Sequence, residues 1–316
     1  MMAESEEPQE QAALPVLGVV PVIPAPFDTG QELDEAALRR LVAHAVRIGV
    51  RAICLPAYGT EFYKLSDEER FRIVQIAVEE ARGRVAVFAQ CNHGSARVAA
   101  AAARRNVAAG ADHISIAIPR QFAVPPAALL DYLVSVLDAV EVPCLVQDFN
   151  PGGPTVTPDF IGELRRRTPN FRYLKLEEPC MAPKIRAIQN ATGHSVGILE
   201  GWGGMYMLEL IPVGICGLMP GLALAEILNR VFELRLTGLT AEAFQLFEKV
   251  LPQIIFSLQT LELYHYCEKS LLQAMGLLPN PICRAPAYEP DPDTARFVDE
   301  LNARVLMASK EFRAPV

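Results

Sequence analysis

Short apolar runs alternate with longer amphipathic segments along the chain from residue 16 onward. Eight of these runs are rich in Val, Ile and Leu and have the length of strands: VLGVVPVI (16–23), RAICLPA (51–57), RVAVFAQ (84–90), DHISIAI (112–118), PCLVQDF (143–149), FRYLKLE (171–177), HSVGILE (194–200) and GICGLMP (214–220). Runs that are apolar almost throughout are typical of parallel strands covered on both faces. The pattern therefore predicts a parallel sheet packed against helices.

The segments between these runs carry the start and stop patterns of helices. LDEAALRRLVAHAVRIG has an acidic first turn and ends at Gly49, and LSDEERFRIVQIAVEEARG places Glu69 three residues after Ser66, which is a capping box. TPDFIGELRRR has Thr157 as its N-cap and Pro158 in its first turn. Eight strands alternating with eight helices predict an α/β fold, a (β/α)₈ TIM barrel.

The strand pattern stops after residue 236 and only helical patterns follow. Three stretches are helical, at roughly 240–259, 260–277 and 293–312, with a Pro-rich segment before the last. The start, MMAESEEPQEQAALP, is acidic and lacks the pattern of a signal peptide. We therefore expect three parts: a disordered N-terminal arm over 1–15, the barrel over 16–236, and a small all-helical C-terminal region over 237–316.

The composition of the chain argues against several classes of function. The chain has 316 residues, 51% of them hydrophobic, and a net charge of −8 with dispersed Arg residues, which argues against a nucleic-acid partner. No apolar stretch approaches the roughly 20 residues of a membrane-spanning helix. The seven cysteines include no CxxC pair, as expected of buried thiols in the reducing cytoplasm. Scattered histidines and the lack of phosphate-binding or dinucleotide-binding fingerprints predict neither metal nor cofactor.

Lys175 and Glu177 are charged residues within the sixth predicted strand, FRYLKLE. Their spacing of two places them on one side of the strand, and the reacting groups of such barrels lie at the C-terminal ends of strands. A buried Lys175 can form a Schiff base with a carbonyl substrate, and Glu177 can act as acid or base at the carbon beside the imine. The alternatives are a lysine whose head reaches water and a structural ion pair.

Polar residues also follow the second and fifth predicted strands. Gln147 is neutral, so it can orient a water or a hydroxyl but cannot serve as a proton donor of matched pKa. Asp148 has the opposite parity, and we expect it to cap the turn. Tyr58, Gly59 and Thr60 can present backbone N–H groups and a hydroxyl to a carboxylate, or form only a tight turn.

The GWGG segment follows the seventh predicted strand. Its glycines Gly201 and Gly203 can let a substrate approach the backbone closely, although the segment alone is a weak motif. For Arg120 and Arg284 we favour solvated or linker-anchoring roles over substrate binding.

With these residues in hand, the sequence resembles the dihydrodipicolinate synthase/N-acetylneuraminate lyase family of Schiff-base barrels. PAPFDTGQELDEAALRRLV is similar to that family's opening, YGTEFYKLSDEER to its GTTGE segment with LSxEER, and AAGADHISIAIP to its GAD-to-Pro strand. FRYLKLEE resembles the IKE segment that carries the imine-forming lysine. The resemblance implies that Lys175 has this role, that the substrate is a small 2-oxo acid, and that the chain forms a homotetramer.

Several positions depart from the synthase pattern of that family. Tyr58 and Gly59 stand where the synthases have two threonines, and Gln147 replaces the tyrosine after the fifth strand's proline. A glutamine there, with Lys-Leu-Glu on the sixth strand, is similar to the branch of 2-keto-3-deoxy-sugar-acid dehydratases, such as the L-2-keto-3-deoxyarabonate dehydratases. This implies that Glu177 takes over the proton transfers of the lost tyrosine.

Three functions remain open from the sequence. The favoured one is dehydration of a 2-keto-3-deoxy sugar acid through a lysine imine. A pyruvate-dependent aldolase or a synthase-like condensation would use the same lysine and differ in the bond that breaks. A non-catalytic barrel that binds a 2-oxo acid would fit the altered carboxylate site, but the retained Lys175 argues against it.

Overall fold

Eight parallel strands form the centre of the computed structural model, which describes residues 17–120 and 123–313. The arm predicted over residues 1–15 lies outside the described residues. The strands are β1 (Gly18–Val19), β2 (Ala52–Leu55), β3 (Ala86–Gln90), β4 (His113–Ala117), β5 (Cys144–Phe149), β6 (Phe171–Glu177), β7 (Gly197–Glu200) and β8 (Gly217–Leu218). Each falls inside one of the eight predicted runs.

The sheet closes on itself to make a barrel. Neighbouring strands pair in parallel in the order β1-β8-β7-β6-β5-β4-β3-β2. The remaining seam lies between β1 and β2, and it is closed by the segment after β1. There the Ile23 N–H donates to the Cys54 carbonyl at 3.0 Å, and the Cys54 N–H donates to the Pro21 carbonyl at 2.9 Å. The predicted TIM barrel is confirmed.

Helices alternate with the strands around the barrel. They are α1 (Glu35–Arg47), α2 (Asp67–Ala81), α3 (Ala96–Ala108), α4 (Pro126–Leu137), α5 (Pro158–Arg167), α6 (Met181–Ala191), α7 (Met207–Leu210) and α8 (Ala225–Leu236). The predicted capping box of α2 is present, since the Glu69 N–H donates to Ser66 Oγ at 3.2 Å and the Ser66 N–H to Glu69 Oε2 at 2.8 Å. Thr157 caps α5 as predicted, by accepting from the Phe160 N–H at 3.2 Å.

The barrel interior is filled by side chains rather than left as a channel. Phe88, Leu145, Tyr173 and Leu199 belong to one buried apolar cluster inside the sheet, and a larger cluster packs the sheet against the helices. Gln147 and Lys175 each follow an interior residue by two positions along the same strand. Their side chains therefore lie above the apolar filling, at the C-terminal end of the barrel.

The C-terminal region is helical, as predicted, but its first helical stretch is divided. It contains α9 (Thr240–Phe247), α10 (Leu251–Ser257), α11 (Leu261–Ala274) and α12 (Pro292–Arg313). The break falls just before Pro252, which has no N–H to donate and is accommodated in the first turn of α10. Within the described ranges, no helix is both long and apolar enough to cross a membrane.

A buried ion pair attaches α11 to the barrel. Lys269 Nζ lies 2.5 Å from Glu61 Oε1 and also donates to the Ile282 carbonyl at 2.8 Å. Arg284 anchors the segment after α11, since it forms two hydrogen bonds to the Glu69 carboxylate and two to the Gln31 carbonyl. These contacts hold α11 against the C-terminal mouth of the barrel, and Arg284 has the anchoring role expected for it.

Candidate active site

Four polar side chains form one hydrogen-bonded chain at the ends of β3, β5 and β6. Gln90 Nε2 donates to Gln147 Oε1 at 3.0 Å, and Gln147 Nε2 donates to Glu177 Oε1 at 2.7 Å. Lys175 Nζ lies 2.9 Å from the same Glu177 oxygen. The strand register places Gln147 directly beside Lys175, so the contacts follow from the pairing of β5 with β6. The structure therefore brings the three predicted catalytic residues together.

Burial sets the electrostatics of this group. Lys175 and Glu177 are 7% and 6% exposed, and Gln147 is 2% exposed. Removal from water raises the pKa of Glu177, and the lowering effects of Lys175 and the Gln147 hydrogen bond only partly offset it. A carboxyl with a raised pKa beside an amine is suited to accept a proton and return it.

Gly201 makes room for the Glu177 side chain. A Cβ atom at Gly201 would lie 2.2 Å from Glu177 Cγ and 2.6 Å from its Oε1, which is closer than atoms can approach. Gly203 has a φ of +62°, and a Cβ there would lie 3.2 Å from Leu258 Cδ1. Local geometry therefore explains both glycines, and Gly201 is explained by its close approach to Glu177.

A cavity of about 190 Å³ opens above these side chains. Barrel residues and the C-terminal region share its walls. The predicted site residues among those that line it are Tyr58, Gly59, Gln147, Lys175, Glu177, Gly201 and Gly203. The volume suits a small organic acid.

Thr60 does not line this cavity, and its predicted role in substrate binding is corrected. The side chain is fully buried. Its hydroxyl donates to the Ile23 carbonyl at 2.8 Å and accepts from the Ala57 N–H at 2.9 Å, so its hydrogen-bonding capacity is used within the fold. Thr60 thus fixes the loop after β2 against the segment after β1.

Tyr58 is an aromatic wall of the cavity. Its ring centroid lies 5.0 Å from those of Phe62 and Phe149. Burial raises the pKa of the Tyr58 hydroxyl, and the nearby Glu177 carboxylate raises it further. The Tyr58 hydroxyl therefore stays protonated.

Asp148 and Arg120 organise the loops at the rim. Asp148 Oδ2 accepts from the Val156 N–H at 2.6 Å, and Arg120 pairs with the other oxygen. Asp148 therefore fixes the loop after β5, as its strand parity predicted. Arg120 is engaged by a protein carboxylate in this arrangement.

Sequence reasoning missed the residues that the C-terminal region contributes to the cavity. They are Leu258, Gln259, Thr260, Leu261 and Tyr264. It also missed Glu200, a fully buried carboxyl at the end of β7 that accepts from the Gly204 N–H at 2.8 Å. Burial raises the pKa of Glu200 to about 7. A charged residue at a strand end was the pattern that could have revealed Glu200.

Binding of a metal ion would require a cluster of ligand side chains. Among the residues that the structure describes, no three His, Cys, Asp or Glu side chains cluster so that they could hold a metal ion.

Comparison with known proteins identifies the family. A sequence model described as the dihydrodipicolinate synthetase family matches residues 15–301. The chain belongs to this family. It is also 28% identical over 282 residues to the L-2-keto-3-deoxyarabonate dehydratase of Azospirillum brasilense, which covers 88% of this chain and 90% of the relative. The suspected family and the resemblance to the dehydratase branch are confirmed.

Other members of the family are similar over shorter or more divergent alignments. The 4-hydroxy-tetrahydrodipicolinate synthase of Acidobacterium capsulatum is 28% identical over 196 residues, covering 61% of this chain and 64% of the relative. The crystal structure of dihydrodipicolinate synthase from Rhodopseudomonas palustris superimposes with a TM-score of 0.85 at 23% identity, covering 92% and 99% of the two chains. That likeness shows the shared barrel fold.

Proposed function

We propose that this family member is a Schiff-base lyase that dehydrates a 2-keto-3-deoxy sugar acid. The observation that carries the proposal is the Glu177 carboxyl, held by Gln147 at 2.7 Å and lying 2.9 Å from the Lys175 amine. This pairs a nucleophile with an acid/base inside one small cavity. The dehydratase activity named for the Azospirillum brasilense relative supports the same reaction class.

Imine formation is the first step. The Lys175 nitrogen attacks the C2 carbonyl carbon of the substrate, and the carbonyl oxygen leaves as water, which gives a protonated imine. For the attack the ammonium must first lose a proton, and Glu177 is within hydrogen-bonding distance to accept it. Glu177 then returns that proton to the departing carbonyl oxygen, so it is again a carboxylate before the next step.

Elimination of water is the second step, and it is possible because the protonated imine withdraws electrons from C3. The C3 proton moves to Glu177, and the C3–H electron pair forms the C2=C3 bond of an enamine. The enamine nitrogen pair then restores C=N, the C2=C3 pair becomes C3=C4, and the C4–O bond breaks with its pair on oxygen. Glu177 returns its proton to that oxygen, so water leaves, and hydrolysis of the imine frees Lys175.

Gln147 has a positioning role in this scheme. Its Oε1 accepts from Gln90, so its amide is oriented with Nε2 toward Glu177. The second N–H of that nitrogen is available to hold the departing C4 hydroxyl. A glutamine cannot serve as the acid, which leaves Glu177 as the proton carrier.

A panel of 2-keto-3-deoxy sugar acids, with products identified by mass spectrometry, tests the proposal. We expect a product lighter than its substrate by one water. Release of pyruvate with an aldehyde would instead establish an aldolase. Binding of 2-oxo acids without turnover of any would establish a non-catalytic barrel, and either result would overturn the dehydratase assignment.

A further inference from the structure

Tyr264 reaches the active-site cavity from outside the barrel. It lies on α11 and lines the same cavity as Lys175 and Glu177. A Cβ atom on Gly59 would lie 3.3 Å from the Tyr264 hydroxyl oxygen, and a Cβ atom on Gly221 would lie 2.6 Å from it. The hydroxyl therefore occupies space next to two glycines, one after β2 and one after β8.

These positions place Tyr264 across the barrel mouth from the proposed acid/base. The loops after β2 and β8 flank the closing seam, whereas Gln147 and Glu177 lie on β5 and β6, on the other side of the ring of strands. A substrate joined to Lys175 through C2 must direct C3 and C4 toward Glu177 for proton transfer. Its C1 carboxylate, on the other side of C2, then points toward the wall that holds Tyr264.

The carboxylate needs hydrogen-bond donors at that wall. Lys175 is the only cationic side chain among the described residues that line the cavity, and the imine occupies its nitrogen. The Thr60 hydroxyl is used within the fold. Burial holds the pKa of Tyr264 well above its usual value, so its hydroxyl keeps the proton that it would donate to an anion.

Glu268, on the same helix as Tyr264, also approaches Gly221. Its Oε1 accepts from the Ala223 N–H at 2.9 Å, and its Oε2 would lie 2.3 Å from a Cβ atom on Gly221. The carboxyl and the Tyr264 hydroxyl thus approach the same glycine. Any side chain at Gly221 would displace them, which explains a glycine at this position.

We propose that Tyr264 recognises the carboxylate of the 2-oxo acid, through a hydrogen bond donated from the C-terminal helix α11. The inference rests on the proposed function, because it assumes a 2-oxo acid held through C2. It assigns to the C-terminal region a specificity-determining residue that the barrel strands do not supply.

A fluorescence titration measures this contact without requiring turnover. Trp202 is the single tryptophan of the chain and lines the cavity, so its emission, corrected for ligand absorbance, should report occupancy. Pyruvate and its uncharged methyl ester are titrated into the wild type and Tyr264→Phe. Tyr266→Phe is the matched control, since this tyrosine lies on the same helix and packs beside Tyr288 away from the cavity.

We expect Tyr264→Phe to weaken pyruvate binding by about tenfold to a hundredfold, the usual effect of losing a hydrogen bond to a charged group. Binding of the methyl ester should change much less, and Tyr266→Phe should match the wild type. Equal effects on acid and ester, an unchanged affinity for pyruvate, or no binding of pyruvate by the wild type would overturn the proposal. A failure of imine chemistry alone would leave the acid-versus-ester comparison intact, so the two failures are distinguishable.

Discussion

Glu177 illustrates how a single residue acquires its properties from its surroundings. From the sequence, the acid/base role of Glu177 was favoured and a structural ion pair with Lys175 was the alternative. The structure shows both relationships at once, since the Lys175 ion pair is present and burial still raises the pKa of the carboxyl. A buried ion pair is weak evidence for stability, which supports the acid/base role that we propose for Glu177.

Glu177→Gln tests that role. The substitution keeps the shape of the side chain but removes the group that carries the proton, so dehydration should fall by about 10² to 10⁴-fold. The rate of imine formation with pyruvate should fall by a smaller factor than the rate of dehydration. Glu178→Gln is the neighbouring control, because Glu178 pairs with Lys184 outside the cavity. Equal activity of Glu177→Gln and wild type, measured as kcat, would exclude Glu177 as the acid/base.

Glu200 should make stability depend on pH. Its folded-state pKa is raised by burial from 4.5 to about 7, so the folded protein holds this proton more tightly than the unfolded chain. The wild type should therefore lose stability as pH rises from about 4.5 to above 7, by about 3 kcal/mol at most relative to Glu200→Gln. Urea unfolding across this range measures the difference. Parallel curves for the two proteins would contradict the assignment, and the exposed Glu163→Gln serves as control.

At the scale of elements, the sequence identified every strand but not its length. β1 and β8 contain only two residues each, although their predicted runs were eight and seven residues long. The reason is that strand assignment requires regular pairing, and the chain after β1 instead crosses the seam through isolated bonds to Cys54. An apolar run indicates that a segment is buried. The length of the strand within it depends on how far the neighbouring strand pairs with it.

The sequence likewise identified some residues of the candidate site and missed others. Lys175, Glu177 and Gln147 could be found from strand ends and parity, because those positions share one side of the barrel. Tyr264 could not, since it enters the cavity only through the packing of α11 over the barrel mouth. Thr60 was misassigned because its sequence position does not reveal that its hydroxyl turns inward to the Ile23 carbonyl.

Gly201→Ala tests the close packing at the end of β7. The added methyl group would overlap Glu177, so the carboxyl must move away from Lys175. Displacement of a reacting group by about 1 Å can cost about a hundredfold in rate, and we expect kcat/KM to fall by at least that factor. Circular dichroism should show a folded protein. Full activity in a folded Gly201→Ala variant would mean that Glu177 does not react from this position.

At the scale of the whole molecule, the C-terminal region helps to enclose the candidate active site. Its helices supply one wall of the cavity and are tied to the loop after β2 by the Lys269–Glu61 pair. The boundary at residue 236 and the homotetramer remain predictions. Exposed apolar side chains on the C-terminal helices, such as Phe244, Phe297 and Met307, are available for contacts between copies.

Lys269→Met should destabilise the molecule. It removes one partner of a fully buried pair and leaves the Glu61 charge less compensated, which commonly costs about 3 to 5 kcal/mol. Lys249→Met is the matched control, because Lys249 forms an exposed pair with Glu311 and should change stability by less than about 1 kcal/mol. Urea unfolding measures both. Similar small effects would show that the buried pair does not hold α11 in place.

The central claim, that Lys175 forms an imine with a 2-oxo acid, is tested most directly by reductive trapping. The protein is treated with borohydride in the presence of pyruvate, digested, and analysed by mass spectrometry. We predict one modified lysine, Lys175, and no modification of the same site in Lys175→Ala. Lys184→Met, which changes a lysine near the rim, should still be trapped at Lys175. An unmodified Lys175 in active wild-type protein would contradict the account.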